Sequence, residues 1–151
     1  MGREIERKFL VTGDGWREAA ESSLGIRQAY LAVTDHLSIR LRLRDDGQAF
    51  LTLKSAAKEI SRAEYEYPVP LSQAEEMLLL AASPILEKRR HHVMLDGVLW
   101  EVDVFAGRHA GLVLAEVELS HPDQPLALPD WLGAEVTGDP RFYNETLARG
   151  G

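Results

Sequence analysis

Charged side chains of like sign recur two positions apart along this chain, and the spacing restricts how it can fold. Residues two apart in a β-strand lie on the same face of the sheet, about 6.6 Å from one another. Apolar residues such as Ile39, Leu41 and Leu43 occupy the positions between the charges. The four acidic and two basic pairs are Glu4/Glu6, Glu64/Glu66, Glu101/Asp103, Glu116/Glu118, Arg40/Arg42 and Lys88/Arg90. The pattern predicts a sheet with one charged and one apolar face.

Turn residues divide these segments into strands. Asp46-Gly47 and Asp96-Gly97 each stand between alternating runs, which is typical of tight antiparallel hairpins. We predict eight strands, at residues 3–12, 26–33, 36–45, 48–55, 60–70, 85–95, 98–106 and 112–120. The expected fold class is therefore α+β, dominated by an antiparallel sheet.

Three helices complete the prediction. The first covers residues 14–24, and the second opens at Ser72 with Glu75 in a capping-box pattern. The third begins at Asp139, which can cap it, and continues to residue 147. We expect the three tryptophans to pack helices against the sheet, and the last helix to close one mouth of the sheet.

Composition bounds the class of protein. A chain of 151 residues with 45% hydrophobic and 27% charged residues is expected to form a single globular domain, residues 1–151. Its formal charge of −7 provides no positive field for nucleic acid or an anionic membrane. The absence of cysteine excludes disulfides, thiolate zinc sites and a cysteine nucleophile. The longest apolar run is too short to span a membrane and the N-terminus has no signal core, so we expect a cytoplasmic protein.

The charge pairs admit two interpretations. A half-buried strand ordinarily turns its charges to water, which explains any single pair. Because like charges repel, a solvated face would more naturally alternate signs, as cross-strand pairing favours. The segregated signs instead favour a closed barrel with a charged interior and an apolar outer face covered by helices. Inside it, paired carboxylates suit Mg²⁺ or Mn²⁺, and paired arginine and lysine suit phosphoryl oxygens.

The order of the charged residues resembles that of a known family. Residues 4–8, Glu-Ile-Glu-Arg-Lys, match the E-x-E-x-K motif of the CYTH superfamily, the triphosphate tunnel metalloenzymes. The later charged positions of the family follow in order as Arg40-Leu41-Arg42-Leu43, Leu53-Lys54, Glu64-Tyr65-Glu66, Glu87-Lys88-Arg89-Arg90, Asp103 and Glu116-Val117-Glu118. The short members that this chain resembles throughout are bacterial inorganic triphosphatases.

This resemblance implies an eight-stranded antiparallel tunnel that binds a triphosphate and divalent metal, Mg²⁺ or Mn²⁺. The residues implied to bind phosphate are Lys8, Arg40, Arg42, Lys54, Lys88 and Arg90. Those implied to hold metal, directly or through water, are Glu4, Glu6, Glu64, Glu66, Asp103, Glu116 and Glu118. Glu101 matches the family pattern less clearly, and the exposure of Arg44 and Arg62, which have the same parity, is left open.

The expected reaction is hydrolysis of inorganic tripolyphosphate to pyrophosphate and phosphate, with water as the nucleophile. Candidates for the catalytic acid or base are a carboxylate such as Glu4 or Glu6, and Tyr30 paired with Lys88, since neighbouring cations should lower the pKa of this lysine. The alternatives are a class IV adenylyl cyclase, a thiamine or nucleoside triphosphatase, and a non-catalytic polyphosphate-binding module. We expect a small-molecule triphosphate as partner, neither nucleic acid nor membrane, and the sequence leaves a homodimer open.

Overall fold

A computed structural model describes residues 4–56 and 61–149 of the chain. Its strands are β1 (Glu4–Val11), β2 (Ala20–Val33), β3 (Leu37–Arg44), β4 (Ala49–Ser55), β5 (Ser61–Arg62), β6 (Glu64–Val69), β7 (Leu86–Leu95), β8 (Val98–Phe105), β9 (Val113–Glu118) and β10 (Leu132–Glu135). Its helices are α1 (Trp16–Ala19), α2 (Leu71–Met77) and α3 (Asn144–Arg149), with 3-10 turns at Leu78–Leu80, Gly107–His109 and Pro140–Phe142. None of the helices in these two ranges is long and apolar enough to cross a membrane. Arg3 and Ile60, the first residues of two predicted strands, lie outside the described residues.

The strands form one antiparallel sheet in the order β10-β1-β9-β8-β7-β2-β3-β4-β6. Among the described residues no ladder joins β6 to β1, so hydrogen bonds do not close the sheet. Strand β5, which only Ala63 separates from β6, pairs with β1 at Glu4 and Ile5 and carries the chain across this gap. The predicted antiparallel fold with few helices is confirmed, whereas the count of eight strands is wrong and a continuous barrel ladder is not observed.

Two short strands account for the difference in number. The segment predicted as a single strand at 60–70 is interrupted at Ala63 and gives β5 and β6. The sequence does not predict β10, because its four residues include a glycine and show no alternation. Gly133 allows β10 to lie close to β1: a Cβ at this position would be 2.5 Å from Thr12 Cγ2. The pairing of β10 with β1 therefore requires a residue without a side chain at position 133.

The predicted first helix is mostly strand. Only Trp16–Ala19 are helical, and the chain then enters β2, where Ala20 pairs with Val93 of β7. The helical pattern over residues 14–24 is overridden because β2 gains a long ladder with β7 on one side and β3 on the other.

The other two helices also differ from the prediction at their starts. Helix α2 follows Pro70 without a side-chain cap, so the capping box assigned to Ser72 is wrong. Asp139 does accept a hydrogen bond from the backbone N–H of Arg141 at 3.1 Å, as a capping aspartate should. It caps a 3-10 turn, however, and the helix itself begins at Asn144.

The apolar faces of the strands point outward and are covered, as predicted. One buried cluster consists of Phe9, Trp16, Val93, Trp100, Val102, Ala115, Val117, Leu119 and Trp131, and it joins α1 and the segment before β10 to the outer face of β1, β7, β8 and β9. A second packs Ala74 of α2 against Leu41 and Leu43 of β3. Burial of these two apolar clusters on the outer face supplies the hydrophobic stabilisation of the fold. The inner face can therefore hold charged side chains.

A third apolar cluster lies on the inner face, at one end of the sheet. Tyr30 stands directly opposite Arg40, and Phe105 directly opposite Lys88, so these aromatic residues share a face with the charged ones. Leu147 and Ala148 of α3 pack against this cluster. The inner face is therefore charged along most of its length and apolar where α3 meets it.

Candidate active site

The charged faces of the strands enclose a cavity of about 180 Å³. Its placement follows from the strand register, in which Glu6 faces Glu118 and Lys8 faces Glu116 across β1 and β9. Its wall is formed by Glu4, Glu6, Arg40, Arg42, Lys54, Glu64, Glu66, Arg90, Glu101, Glu116, Glu118 and Asn144. Ten of the thirteen residues implied to bind phosphate or metal line this cavity, whereas Lys8, Lys88 and Asp103 do not, and neither does the catalytic candidate Tyr30.

Arg90 is the centre of a buried ionic cluster. Its Nε and Nη2 donate to the two carboxylate oxygens of Asp103 at 2.8 and 2.9 Å, and Nη2 also donates to Glu116 at 2.9 Å. Lys88 Nζ lies 2.7 Å from Asp103 Oδ2. Burial alone would raise the pKa of Asp103, but Arg90 and Lys88 lower it to about 2. Because both of its oxygens are engaged by cations, Asp103 holds Arg90 and Lys88 in place and is not grouped with the carboxylates of the wall.

Lys54 of β4 and Arg40 of β3 are paired with carboxylates of β1 and β6, respectively. Lys54 Nζ lies 2.9 Å from Glu4 Oε1. Arg40 Nη2 lies 3.5 Å from Glu66 Oε2 and donates to Thr52 Oγ1 at 3.3 Å, while Thr52 donates to Glu66 at 2.9 Å. These contacts fix two basic side chains of neighbouring strands against two acidic ones.

The two arginines whose exposure the sequence leaves open lie in different places. Arg44 pairs with Asp46 in the hairpin between β3 and β4 and is not part of the cavity wall. Arg62 of β5 lies 3.9 Å from Glu4, where β5 joins β1. Glu101, the weaker match to the family pattern, lines the cavity and lies 3.3 Å from Arg90 Nη1.

Arg42 differs from the other basic residues of the cavity. Its Nε donates to the side-chain oxygen of Gln28 at 2.8 Å, across the β2–β3 pair. Burial, followed by the nearby charges of Arg40 and Arg90, lowers the pKa of Arg42 to about 9. The guanidinium of Arg42 therefore lies close enough to those of Arg40 and Arg90 to be repelled by both.

Two lysines connect the sheet to the C-terminal segment. Lys8 Nζ donates to the backbone oxygen of Phe142 at 2.9 Å, and Lys88 Nζ donates to Asn144 Oδ1 at 3.1 Å. Burial lowers the pKa of Lys88 to about 7, although Asp103 opposes that shift. Burial also raises the pKa of the Tyr30 hydroxyl. Within the described ranges Tyr30 and Lys88 make no hydrogen bond with each other, so the structure does not join them into a pair.

The carboxylates of β1 and β9 differ in how well they are compensated. Burial raises the pKa of Glu6 to about 8, and the charges of Glu116 and Glu4 act in the same direction. Burial would also raise the pKa values of Glu4 and Glu116, but Lys54 holds the first below its ordinary value, and Lys8 with Arg90 hold the second well below it. Glu6 is thus the acidic side chain that the cavity leaves least neutralised.

The donor chemistry of the wall fits a divalent metal ion. Burial and the charges of two neighbouring carboxylates disfavour the ionised form of Glu6, a deficit that a hard cation with oxygen ligands would relieve. Among residues 4–56 and 61–149 no three acidic or histidine side chains are gathered tightly enough to hold a metal. Several of the carboxylates, among them Glu4, Glu66 and Glu116, are paired instead with lysine or arginine.

The raised pKa of Glu6 predicts a pH-dependent effect of Glu6→Gln on the metal-free protein. Between pH 4.5 and about 8 the folded state retains a proton that the unfolded state has released, so Glu6 makes the protein progressively less stable as the pH rises. We expect the substitution to increase the unfolding free energy by about 1 kcal/mol or more at pH 9 and to leave it unchanged at pH 4. Urea denaturation in chelator measures this, with Glu18→Gln, at an exposed position of α1, as the control. An equal difference at both pH values would contradict the assignment.

Sequence reasoning did not identify three polar residues that belong to the site. Gln28 lies opposite Arg42 and Thr52 lies opposite Arg40, so strand alternation places both on the charged inner face. A single neutral residue at such a position is not conspicuous in the sequence, whereas a pair of like charges is. Asn144 begins the C-terminal helix that was expected to close one mouth of the sheet, but no strand pattern could assign it to the cavity wall.

Fold and site together define a member of the CYTH family. The model of the CYTH domain matches residues 2–143, so the chain belongs to this family. Two curated relatives are both named inorganic triphosphatase. The protein of Acetivibrio thermocellus is 43% identical over 150 residues, covering 99% of this chain and 95% of its own, and that of Nitrosomonas europaea is 43% identical over 150 residues, covering 96% of each.

Solved structures show the same fold. The crystal structure of the inorganic triphosphatase NE1496 is 40% identical in sequence, with a TM-score of 0.68, and covers 97% of this chain and 94% of its own. The Hippeastrum protein HpAC1 is 15% identical with a TM-score of 0.62, covering 79% of this chain and 80% of its own, and shows likeness of fold alone. Membership of the CYTH triphosphatase family implies a divalent metal requirement in general.

Proposed function

We propose that this protein hydrolyses inorganic tripolyphosphate to pyrophosphate and phosphate and requires a divalent metal, Mg²⁺ or Mn²⁺. The observation that carries the proposal is the cavity itself, whose wall brings four basic and seven acidic side chains from seven strands together. Phosphoryl transfer needs positioning and charge neutralisation more than covalent chemistry. Both curated relatives named above are inorganic triphosphatases, which supports the same assignment.

The basic residues are assigned to the phosphate oxygens. Arg40, Arg42, Lys54 and Arg90 reach the cavity, and their forked or point-charge donors suit phosphoryl groups. Lys8 and Lys88 complete the set, since each already donates to a neutral oxygen of the C-terminal segment that an anion would replace. We assign the substrate to the space between these side chains.

Six of the seven carboxylates of the wall are assigned to the metal, directly or through water; the seventh, Glu101, lies beside Arg90 and is left out of this set. The six are Glu4, Glu6, Glu64, Glu66, Glu116 and Glu118, whereas Asp103 orients Arg90 and Lys88. A divalent ion bound there would neutralise phosphate charge and favour attack by water. For the proton that the leaving phosphate needs, we propose Lys88, whose pKa of about 7 suits an acid at neutral pH, with Tyr30 as an alternative acid or base.

The lining favours an inorganic substrate over a nucleotide. Every described residue of the wall is charged except Asn144, so the wall presents no aromatic or apolar surface on which a base could stack. A volume of about 180 Å³ suits a compact anion and not a nucleoside. An adenylyl cyclase or a thiamine triphosphatase would need a pocket for the organic group.

A comparison of substrates tests the proposal. We expect phosphate release from tripolyphosphate in Mg²⁺ to exceed release from ATP and thiamine triphosphate by at least about tenfold, which corresponds to 1.4 kcal/mol in transition-state binding. Arg40→Met should abolish that turnover, and Arg44→Met, on the same strand but outside the cavity wall, should retain it. Faster turnover of ATP, or formation of a cyclic nucleotide, would favour the alternatives, and binding without turnover of any substrate would indicate a polyphosphate-binding module.

A further inference from the structure

Among the six residues assigned to phosphate, Arg42 has an unusual environment. Lys8, Arg40, Lys54, Lys88 and Arg90 each lie within 4.0 Å of a carboxylate oxygen. In residues 4–56 and 61–149 no carboxylate comes that close to Arg42, and the hydrogen bond of its side chain goes to the neutral amide of Gln28. Its positive charge is therefore held in place without being paired.

Gln28 itself is completely buried and only half satisfied. Its exposed fraction is 0%, and its oxygen accepts the bond from Arg42 Nε, whereas its Nε2 is buried with no acceptor in the described residues. Arg40, two residues before Arg42 on β3, likewise has a buried Nε with no hydrogen-bond partner in the part of the chain that the structure describes. Unsatisfied buried donors are costly, so two of them on the same face of the paired strands β2 and β3 indicate a place where an acceptor binds.

We infer that Gln28 is a substrate-positioning residue, which orients the guanidinium of Arg42 through a neutral hydrogen bond and keeps its charge available for a phosphoryl oxygen. The inference rests on the proposed function, because it takes the cavity to be the triphosphate site. The amide Nε2 of Gln28 adds a donor to the same anion. An arginine that is already paired must give up its carboxylate before it binds phosphate, and Arg42 has no such pair to break.

The inference depends on position 28 being a neutral glutamine and not a glutamate. A carboxylate at position 28 would accept the same bond from Arg42 and would bind the guanidinium more strongly, as Arg–carboxylate pairs do. It would also neutralise the charge and remove the amide donor. A residue with a purely structural role would thus be replaced well by glutamate, while a positioning residue would not.

Two isosteric variants separate these roles. Affinity is measured by calorimetry in Mg²⁺ with diimidotriphosphate, a tripolyphosphate analogue whose bridging oxygens are replaced by NH. We expect Gln28→Met to raise the Kd about tenfold, the loss of a hydrogen bond to a charged group, and Gln28→Glu to raise it about 100-fold, because a buried charge then opposes the anion. KM for tripolyphosphate should follow the same order.

Stability supplies the second measurement. We expect the unfolding midpoint of Gln28→Glu to be at least as high as that of Gln28→Met, although Gln28→Glu binds the analogue more weakly. The reason is that the glutamate retains the bond to Arg42. Gln48→Met and Gln48→Glu, in the exposed hairpin, make the same chemical changes away from the cavity and should leave the Kd unchanged. A wild-type Kd in Gln28→Glu, or weaker binding in Gln28→Met than in Gln28→Glu, would overturn the inference alone. Failure of the wild-type protein to bind the analogue and to hydrolyse tripolyphosphate would overturn the proposed function and the inference with it.

Discussion

Arg90→Met is expected to lower the unfolding free energy by about 3–5 kcal/mol, the usual effect of removing one partner of a buried ion pair. The reason is that Arg90 makes two hydrogen bonds to Asp103 and one to Glu116, and all three side chains are buried. Without the guanidinium, two carboxylates would remain in the interior with Lys8 and Lys88 as their nearest cations. Urea denaturation at pH 7 gives the change directly, and turnover should be lost as well.

Two further variants test the cause of this loss. Arg89→Met removes the neighbouring arginine, whose partner Asp45 is exposed, and should cost no more than about 1 kcal/mol. Adding Asp103→Asn to Arg90→Met should recover part of the lost stability, because one uncompensated charge disappears. If the double variant is less stable than Arg90→Met, the buried charge is not the source of the effect.

Glu116→Gln is expected to reduce turnover in Mg²⁺ by about 100-fold, since a metal ion contributes several kcal/mol to such a reaction and loses one anionic ligand here. The substitution preserves shape and removes the negative charge that Glu116 shares with Glu6 on the cavity wall. The metal concentration needed for half-maximal activity should rise in parallel. A titration of the rate with Mg²⁺ measures both effects.

Glu87→Gln is the matched control for that experiment, because Glu87 lies on β7 with its side chain exposed and outside the cavity wall. It should leave the metal titration unchanged. The unfolding midpoint of Glu116→Gln distinguishes loss of metal binding from loss of fold. A folded Glu116→Gln protein with the rate and the metal dependence of the wild type would contradict the assignment of Glu116.

The alternation of side chains along each strand allowed the residues of the inner face to be predicted from the sequence. Pairs such as Glu4/Glu6 and Arg40/Arg42 keep their common face whatever the exact strand ends, and the structure places these four side chains on one cavity wall. Trp100, on the outer face of β8, follows from the same alternation.

Features that depend on tertiary contacts were not predictable in this way. The helical pattern of residues 14–24 is overridden by the β2–β7 ladder. That ladder joins residues far apart in the chain, so local residue propensities do not predict it. The strand β10 exists because Gly133 fits against Thr12, a contact between residues far apart in the chain. Asn144 reaches the cavity only because the C-terminal segment folds back onto Lys8 and Lys88.

The acidic character of the chain does not oppose an anionic substrate. The seven acidic and six basic side chains named as site residues carry a formal charge of −1, so most of the excess of −7 lies elsewhere. Two divalent cations in the site would reverse its sign, and a polyanion would then meet a positive cavity in an otherwise acidic protein. Binding of triphosphate should accordingly depend on metal.

The most direct test of this account is the rate of phosphate release from tripolyphosphate with Mg²⁺, with Mn²⁺ and with an excess of chelator. The account predicts turnover with at least one of the two ions, loss of that turnover in chelator, and recovery when the ion is added back in excess. Turnover that chelation does not change, or no turnover under any of these conditions, would contradict it.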